Sequence, residues 1–249
     1  SIRAMTTWTE NGGSDLWIIS VGGRAQIVIT KVIEMKYVKE EINFMLTNSL
    51  RYSKEITFDA ETRFTSIHFD EHTSHLFVGC SDGFLRVFKL IRNEFSTSLQ
   101  LIIESFYGKC ILHVYMIRSS LLITMATDGI VCFWHFDEHQ KSIKLIEILH
   151  HNQNGINSFD VCKMEQHTED SYKIATAGDD SGIVVTDFEI IENSVKNFKT
   201  IKTYGVHIAQ VAGIKFLHPD EILTASIDQT VCKLKIEDDK FKIVDKRVT

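Results

Sequence analysis

The chain has little that would mark it as a catalyst, a secreted domain or a membrane protein. There is one proline, Pro219, and no Pro- or Ser-rich linker. A disordered composition is thereby excluded. The five cysteines, Cys80, Cys110, Cys132, Cys162 and Cys232, are odd in number and form no C-x-x-C pair. A disulfide framework or zinc ribbon would need paired spacings, so reduced thiols in a cytoplasmic protein are the expected reading. No Asn-x-Ser/Thr site occurs, and no apolar run approaches the ~18 residues that cross a membrane. Neither a signal peptide nor an initiator Met is present. The first residues, Ser1-Ile2-Arg3-Ala4-Met5, already read as strand, so the chain is expected to be a portion of a longer protein.

Catalytic signatures are missing as well. There is no G-x-S-x-G, no Walker-type loop and no G-x-G-x-x-G after a strand. No cofactor is expected, and no catalytic residue is assigned. His68-Phe-Asp-Glu-His72 and His135-Phe-Asp-Glu-His139 repeat the same five letters. Two histidines four apart share a face only on a helix. Here the copies occupy different stations of strand-like sequence, so no metal site is expected. Asp179-Asp180 are adjacent carboxylates, and neighbours on one turn point apart. The formal net charge of −6 argues against nucleic acid wrapped over the whole surface, though not against a local basic patch.

What is present is a repeat. His75–Leu90, Leu121–Phe136, Lys173–Ile190 and Glu221–Ile236 each read as a short apolar strand, a tight turn holding an Asp, and an alternating strand. The turn aspartates are Asp82, Asp128, Asp180 and Asp228, spaced by 46, 52 and 48 residues. That is the period of one propeller blade. Phe88, Trp134, Phe188 and Leu234 hold a common place further along each unit. Leu16–Val32 has the same shape with Gly22-Gly23 in its turn and no Asp. Each unit has strand-like sequence upstream and downstream, giving four strands. The fold class is therefore all-β. A WD40-type β-propeller of about five four-stranded blades is expected, as part of a larger, seven-bladed ring. The blades fall near 1–61, 62–108, 109–152, 153–206 and 207–249, with an insertion at 34–58 that carries Lys36, Lys39, Arg51 and Lys54. A second insertion, Lys163–Asp170, lengthens the fourth blade.

Asp and Gly supply the special backbone geometry of tight hairpins. In the last unit His207, Ser226 and Asp228 stand where WD repeats place an internal polar network. In the fourth, His151 and Asp180 do. These residues are read as fastenings within blades, not chemistry. The candidate partner-facing or RNA-facing residues are the cations at turns and strand beginnings: Arg3, Arg24, Arg63 and Lys109.

Several segments are more distinctive than the repeat itself: SIRAMTTW, SVGGRAQ, DAETRF, CSDGFLRVF, ATDGIVCFW, NGINSFD and the closing HIAQVAGIKFLHPDEILTASIDQTVCKLKI. In order, they resemble the WD repeat-containing protein six family, over nearly the whole chain. That resemblance implies a non-catalytic regulatory scaffold subunit. Its partner would be an FtsJ-like methyltransferase that 2′-O-methylates the wobble nucleotide of certain tRNAs. The propeller would bind the enzyme and help position tRNA, by phosphate and shape contacts. The alternative is a generic WD adaptor for ubiquitin ligation, trafficking or signalling. A propeller enzyme would need titratable groups clustered around a central channel, and a channel lined only by apolar or isolated polar groups would exclude it.

Overall fold

The computed structural model describes residues 1–9, 15–33, 37–46, 62–93, 96–164 and 170–248. Within them lie twenty strands in five four-stranded sheets, each ordered by sequence. Sheet 1 holds β1 (Ile2–Thr9), β2 (Leu16–Gly22), β3 (Gln26–Ile33) and β4 (Tyr37–Met45). Sheet 2 holds β5 (Phe64–Asp70), β6 (His75–Cys80), β7 (Phe84–Arg92) and β8 (Thr97–Phe106). Sheet 3 holds β9 (Ile111–Arg118), β10 (Leu121–Ala126), β11 (Ile130–Asp137) and β12 (Ser142–His150). Sheet 4 holds β13 (Ile156–Lys163), β14 (Ser171–Gly178), β15 (Ile183–Ile191) and β16 (Ser194–Thr203). Sheet 5 holds β17 (Val211–His218), β18 (Glu221–Ser226), β19 (Thr230–Glu237) and β20 (Lys240–Val248). Every sheet is thus a meander of antiparallel hairpins, joined by connections too short for parallel crossovers. Of the first insertion, Tyr37–Met45 forms the outer strand β4, followed by Leu46, and 34–36 and 47–58 lie outside the described residues. Residues 165–169 of the second insertion do so too.

The chain divides into two compact units. One comprises Ser1–Thr124 with Phe136–Ile143, the other Met125–His135 with Lys144–Thr249. In the first unit, Trp8, Trp17, Ile19 and Ile29 of sheet 1 pack with Phe64, Leu76 and Phe88 of sheet 2. In the second, Ala175, Ile183 and Val185 of sheet 4 pack with Val211, Ile222 and Leu234 of sheet 5. The station held by Phe88, Trp134, Phe188 and Leu234 is buried in all four sheets. Each such side chain contributes roughly 1.5–3 kcal/mol of apolar burial.

Burial along the second strands separates the sheets. Strands β6, β10 and β14 are buried at every residue, so both faces of their sheets are covered. Strands β2 and β18 alternate between buried and partly exposed residues, the pattern of a sheet covered on one face.

Candidate functional site: the turn ends of the sheets

The four Asp turns share one local construction. Each Asp carboxylate accepts the amide two residues on: Phe84 N to Asp82 at 3.2 Å, Ile130 N to Asp128 at 3.3 Å, Gly182 N to Asp180 at 3.0 Å and Thr230 N to Asp228 at 2.9 Å. The residue after each Asp is left-handed: Gly83 (φ 82), Gly129 (φ 77), Ser181 (φ 56) and Gln229 (φ 64). Asp at this position thus substitutes for a backbone acceptor and sets the turn. Sheet 1 turns differently, through a single 3-10 turn at Gly23–Ala25 with Ala25 at φ 48. Arg24 sits in that turn, and its side chain lies outside the described residues.

The turns also tie successive segments together. Gly129 O accepts both His151 N (3.2 Å) and Asn152 N (3.0 Å), the residues leading into sheet 4. A Cβ on Gly129 would stand 2.1 Å from Asn152 O. Gly129→Ala is expected to cost about 2–4 kcal/mol, from the left-handed backbone and the collision together. Ser181→Gly, in the same conformation with no such demand, is expected to be neutral or slightly stabilising. Thermal unfolding of the two variants checks the contrast.

Beyond this shared turn, each Asp has a different partner. In sheet 5, His207 Nδ1 lies 3.2 Å from Asp228 Oδ2 and 2.9 Å from Thr230 Oγ1, and its Nε2 lies 2.9 Å from Thr224 Oγ1. Burial raises the Asp228 carboxyl, but bonds from Thr230, the Ile208 amide and His207 outweigh it and hold the group well below the ordinary carboxylate range. Ser226 does not touch His207. Its hydroxyl bonds Ala209 O and Gln210 O and accepts the Asp228 amide, while Thr224 serves as the hydroxyl of the network.

In sheet 4, His151 does not reach Asp180. Asn152 stands between them, giving its amide to Asp180 Oδ1 (2.9 Å) and Gly182 O (3.1 Å). Thr176 donates to Asn152 Oδ1 (2.9 Å), so its oxygen accepts His151 Nδ1–H (2.9 Å). The other ring nitrogen must then accept from Thr186 (2.9 Å), whose oxygen accepts from Thr200 (2.7 Å). The result is one ordered chain, Thr200–Thr186–His151–Thr176–Asn152–Asp180, with every donor used. Burial, aided by the Lys202 charge, pushes the His151 imidazole down to about 3.

In sheet 2, Asp82 takes Thr62 Oγ1 (3.2 Å) and both terminal nitrogens of Arg86 (2.9 and 2.7 Å). Arg86 is 1% exposed; its Nε reaches Glu104 (2.8 Å) and it lies 4.9 Å over the Phe84 ring. The repeat alignment carries the signal for this residue: Arg86 occupies the strand position of Cys132 and Cys232, where a charge is out of place. Asp179 and Asp180 diverge, Asp179 accepting Asn157 Nδ2 at 2.7 Å. Among the described residues no three His, Cys, Asp or Glu gather as metal ligands.

Arg3, Arg63 and Lys109 are all exposed. They lie at the beginning of β1, just before β5 and just before β9, and these first strands neighbour one another within the first unit. Burial and the Asp82 charge push the neighbouring Cys110 thiol up, and the Arg3 guanidinium opposes them, so Arg3 lies within electrostatic reach of the start of β9. The corresponding places before β13 and β17 hold Asn154-Gly155 and Ala209-Gln210, without charge.

Five four-stranded meanders, four of them closed by Asp turns, define a WD40-type β-propeller protein. The WD40 β-propeller domain of Doa1 superposes with a TM-score of 0.62 at 13% identity, over 98% of this chain and 68% of that one. The structure of U3-55K gives 0.65 at 14%, over 100% and 64%. Within that class the sequence is similar to the tRNA (34-2'-O)-methyltransferase regulator WDR6. It is 24% identical to that protein in Pongo abelii and Homo sapiens and 26% in Mus musculus, across 92% of this chain in each case. The chain spans about a quarter of those relatives' length, 26%. No family model matches it.

Proposed function

We propose that this chain is a non-catalytic, cytoplasmic WD-repeat scaffold. In this reading it binds an FtsJ-like methyltransferase and helps position tRNA for 2′-O-methylation of the wobble nucleotide. The observation that carries the reading is the similarity, across 92% of the chain, to proteins named as regulators of that methylation. The three cations at the ends of β1, β5 and β9 support it. A phosphate backbone is held by such fixed positive charges without base contacts. The formal charge of −6 confines RNA contact to a patch of this kind.

The test is co-purification with an FtsJ-like enzyme, together with mass spectrometry of the wobble 2′-O-methyl group when the protein is removed. Loss of the methyl group is expected, and unchanged methylation refutes the proposal. A pull-down returning ubiquitin-ligation or trafficking components without a methyltransferase replaces it with the generic adaptor. The patch has its own prediction. Arg63→Glu with Lys109→Glu is expected to weaken tRNA binding at least about tenfold at low salt, while leaving enzyme capture intact. Filter binding over a salt series reads it, and an unchanged salt slope removes the patch from the mechanism.

A further inference from the structure

In sheet 2, two chain segments are fastened to the two ends of the β6–β7 turn. At one end the Arg63 amide donates to Ser81 Oγ (2.8 Å) and the Arg63 carbonyl accepts Ser81 N (2.9 Å). At the other, Gly83 O accepts both Tyr107 N (2.8 Å) and Gly108 N (3.2 Å). The turn thus carries Arg63 on one arm and the segment from Phe106 to Lys109 on the other, all inside the first unit.

Phe106 ends β8 and faces Phe84 across the ladder, with the ring centroids 4.9 Å apart. Despite that contact Phe106 is 66% exposed. Gly108, at φ 97, brings the next stretch of backbone in beside the ring: a Cβ on it would stand 3.6 Å from Cε1 and Cζ. The ring therefore lies against the segment that carries Lys109. A single exposed aromatic is ordinary on a protein surface and is not by itself a site. The outer strands of sheets 1 and 5 end at the same place on Met45 and Val248, so the hairpin closes without a ring.

The company of the ring sets it apart. Tyr204 holds the corresponding place in sheet 4. There the following connector, 205–210, has no Lys, Arg, Asp or Glu, and the Lys202 ammonium is tied to His150 O and His151 O. Beside Phe106, by contrast, Arg63 and Lys109 are both exposed, and neither enters an ion pair among the described residues. Asp82 and Glu104 give their carboxylates to Arg86. The cations Arg63, Arg86 and Lys109 outnumber those two carboxylates. A flat apolar ring flanked by uncommitted positive charge fits an unpaired nucleotide, whose base stacks while its phosphates meet the cations. The bases of a duplex already stack on one another and offer the ring no open face. An apolar protein side chain would cover the ring and leave the cations unanswered.

We infer that Phe106 is a stacking platform for an unpaired nucleobase of RNA, with Arg63 and Lys109 holding the phosphates beside it. The inference rests on the reading that these turn ends contact tRNA, and it adds what the cations lack. Phosphate contacts alone do not tell single strand from duplex, whereas a stacking ring does.

The probe is a fluorescein-labelled RNA dodecamer, alone or annealed to its complement, and fluorescence anisotropy follows its binding to the whole chain. Phe106→Leu keeps an apolar side chain and removes the ring. It is expected to weaken single-strand binding at least about fivefold, as for the loss of one stacked base. Duplex binding and the salt slope should stay as in wild type, because stacking releases no counterions. Phe106→Tyr should restore single-strand affinity, and thermal unfolding of both variants should be little changed. Unchanged single-strand affinity in Phe106→Leu, or an equal loss for the duplex, overturns the inference and leaves the phosphate patch standing. A wild-type chain that binds neither RNA refutes the tRNA reading and takes the inference with it.

Discussion

Arg86→Ala is expected to destabilise the protein by about 3–5 kcal/mol, the range for removing one partner of a buried ion pair. The guanidinium is 1% exposed and satisfies two carboxylates at once, Asp82 in a fork and Glu104 through Nε. Truncation leaves those carboxylates facing each other across an empty site and takes away the cation over Phe84. Because Asp82 and Glu104 are each about a quarter exposed, water can relieve part of the cost. The lower half of the range is therefore the firmer expectation. Arg86→Lys keeps the charge and loses the fork, and should fall between wild type and alanine. Replacing all three groups, as Arg86→Met with Asp82→Asn and Glu104→Gln, should recover most of the loss. Cys132 and Cys232 stand at the same position in sheets that fold without any charge there. Chemical denaturation measures the series, and a loss below about 1 kcal/mol for Arg86→Ala would show that the cluster is solvated rather than structural. Cys80 offers a second readout. Burial pushes its thiol up to about 12, with Arg86 opposing, so the thiol should resist alkylation in the folded protein.

The second large effect is a dependence on pH carried by His151. Its folded imidazole is pushed down to about 3, whereas an unfolded histidine titrates near 6.5. The unfolded chain therefore binds a proton at this site that the folded chain does not. The stabilising contribution is complete above about pH 6.5 and is lost as pH falls from there toward 3, with a slope approaching about 1.4 kcal/mol per unit. The hydrogen-bond chain explains why the folded site resists protonation. Nε2 accepts from Thr186, and a proton on Nε2 would force Thr186 to reverse against Thr200. His68 and His75 are also lowered by burial and add slopes of the same sign. The decisive comparison is thus between wild type and His151→Gln. The variant should be less stable at pH 7 and should close much of that gap by pH 4.5. Equal slopes in the two proteins would remove His151 from the acid response. Nitrogen-15 NMR of the ring should find a neutral Nδ1–H tautomer at pH 5.

How much of this was legible beforehand follows the range of the interactions. The Asp turn is a four-residue device: the carboxylate accepts an amide two residues on, and the next residue goes left-handed. Its recurrence at Asp82, Asp128, Asp180 and Asp228 could be read directly, and with it the blade period. The polar network was only half legible. Ser226 looks like its hydroxyl by position, yet Thr224, two residues earlier on the same face of β18, holds His207, while Ser226 at the end of the strand gives its hydroxyl to Ala209 O and Gln210 O. His151 and Asp180 look like partners, yet Asn152 stands between them. Arg86 could have been found by setting it against Cys132 and Cys232. The buried Lys173 between Asp187 and Asp220 could not, since the three come from two sheets.

By itself the sequence determined the all-β class, the four-stranded repeat, the apolar station at Phe88, Trp134, Phe188 and Leu234, and the turns that close each hairpin. All of these rest on contacts within a few residues or on strict alternation along a strand. Tertiary structure alone decided which partner each turn carboxylate found, which sheets are covered on both faces, and where a buried lysine meets two carboxylates. Apart from Arg86, four residues from Asp82, the partners named here are brought together from about 20 to nearly 50 residues apart. At that range local chemistry allows many pairings, and packing selects one.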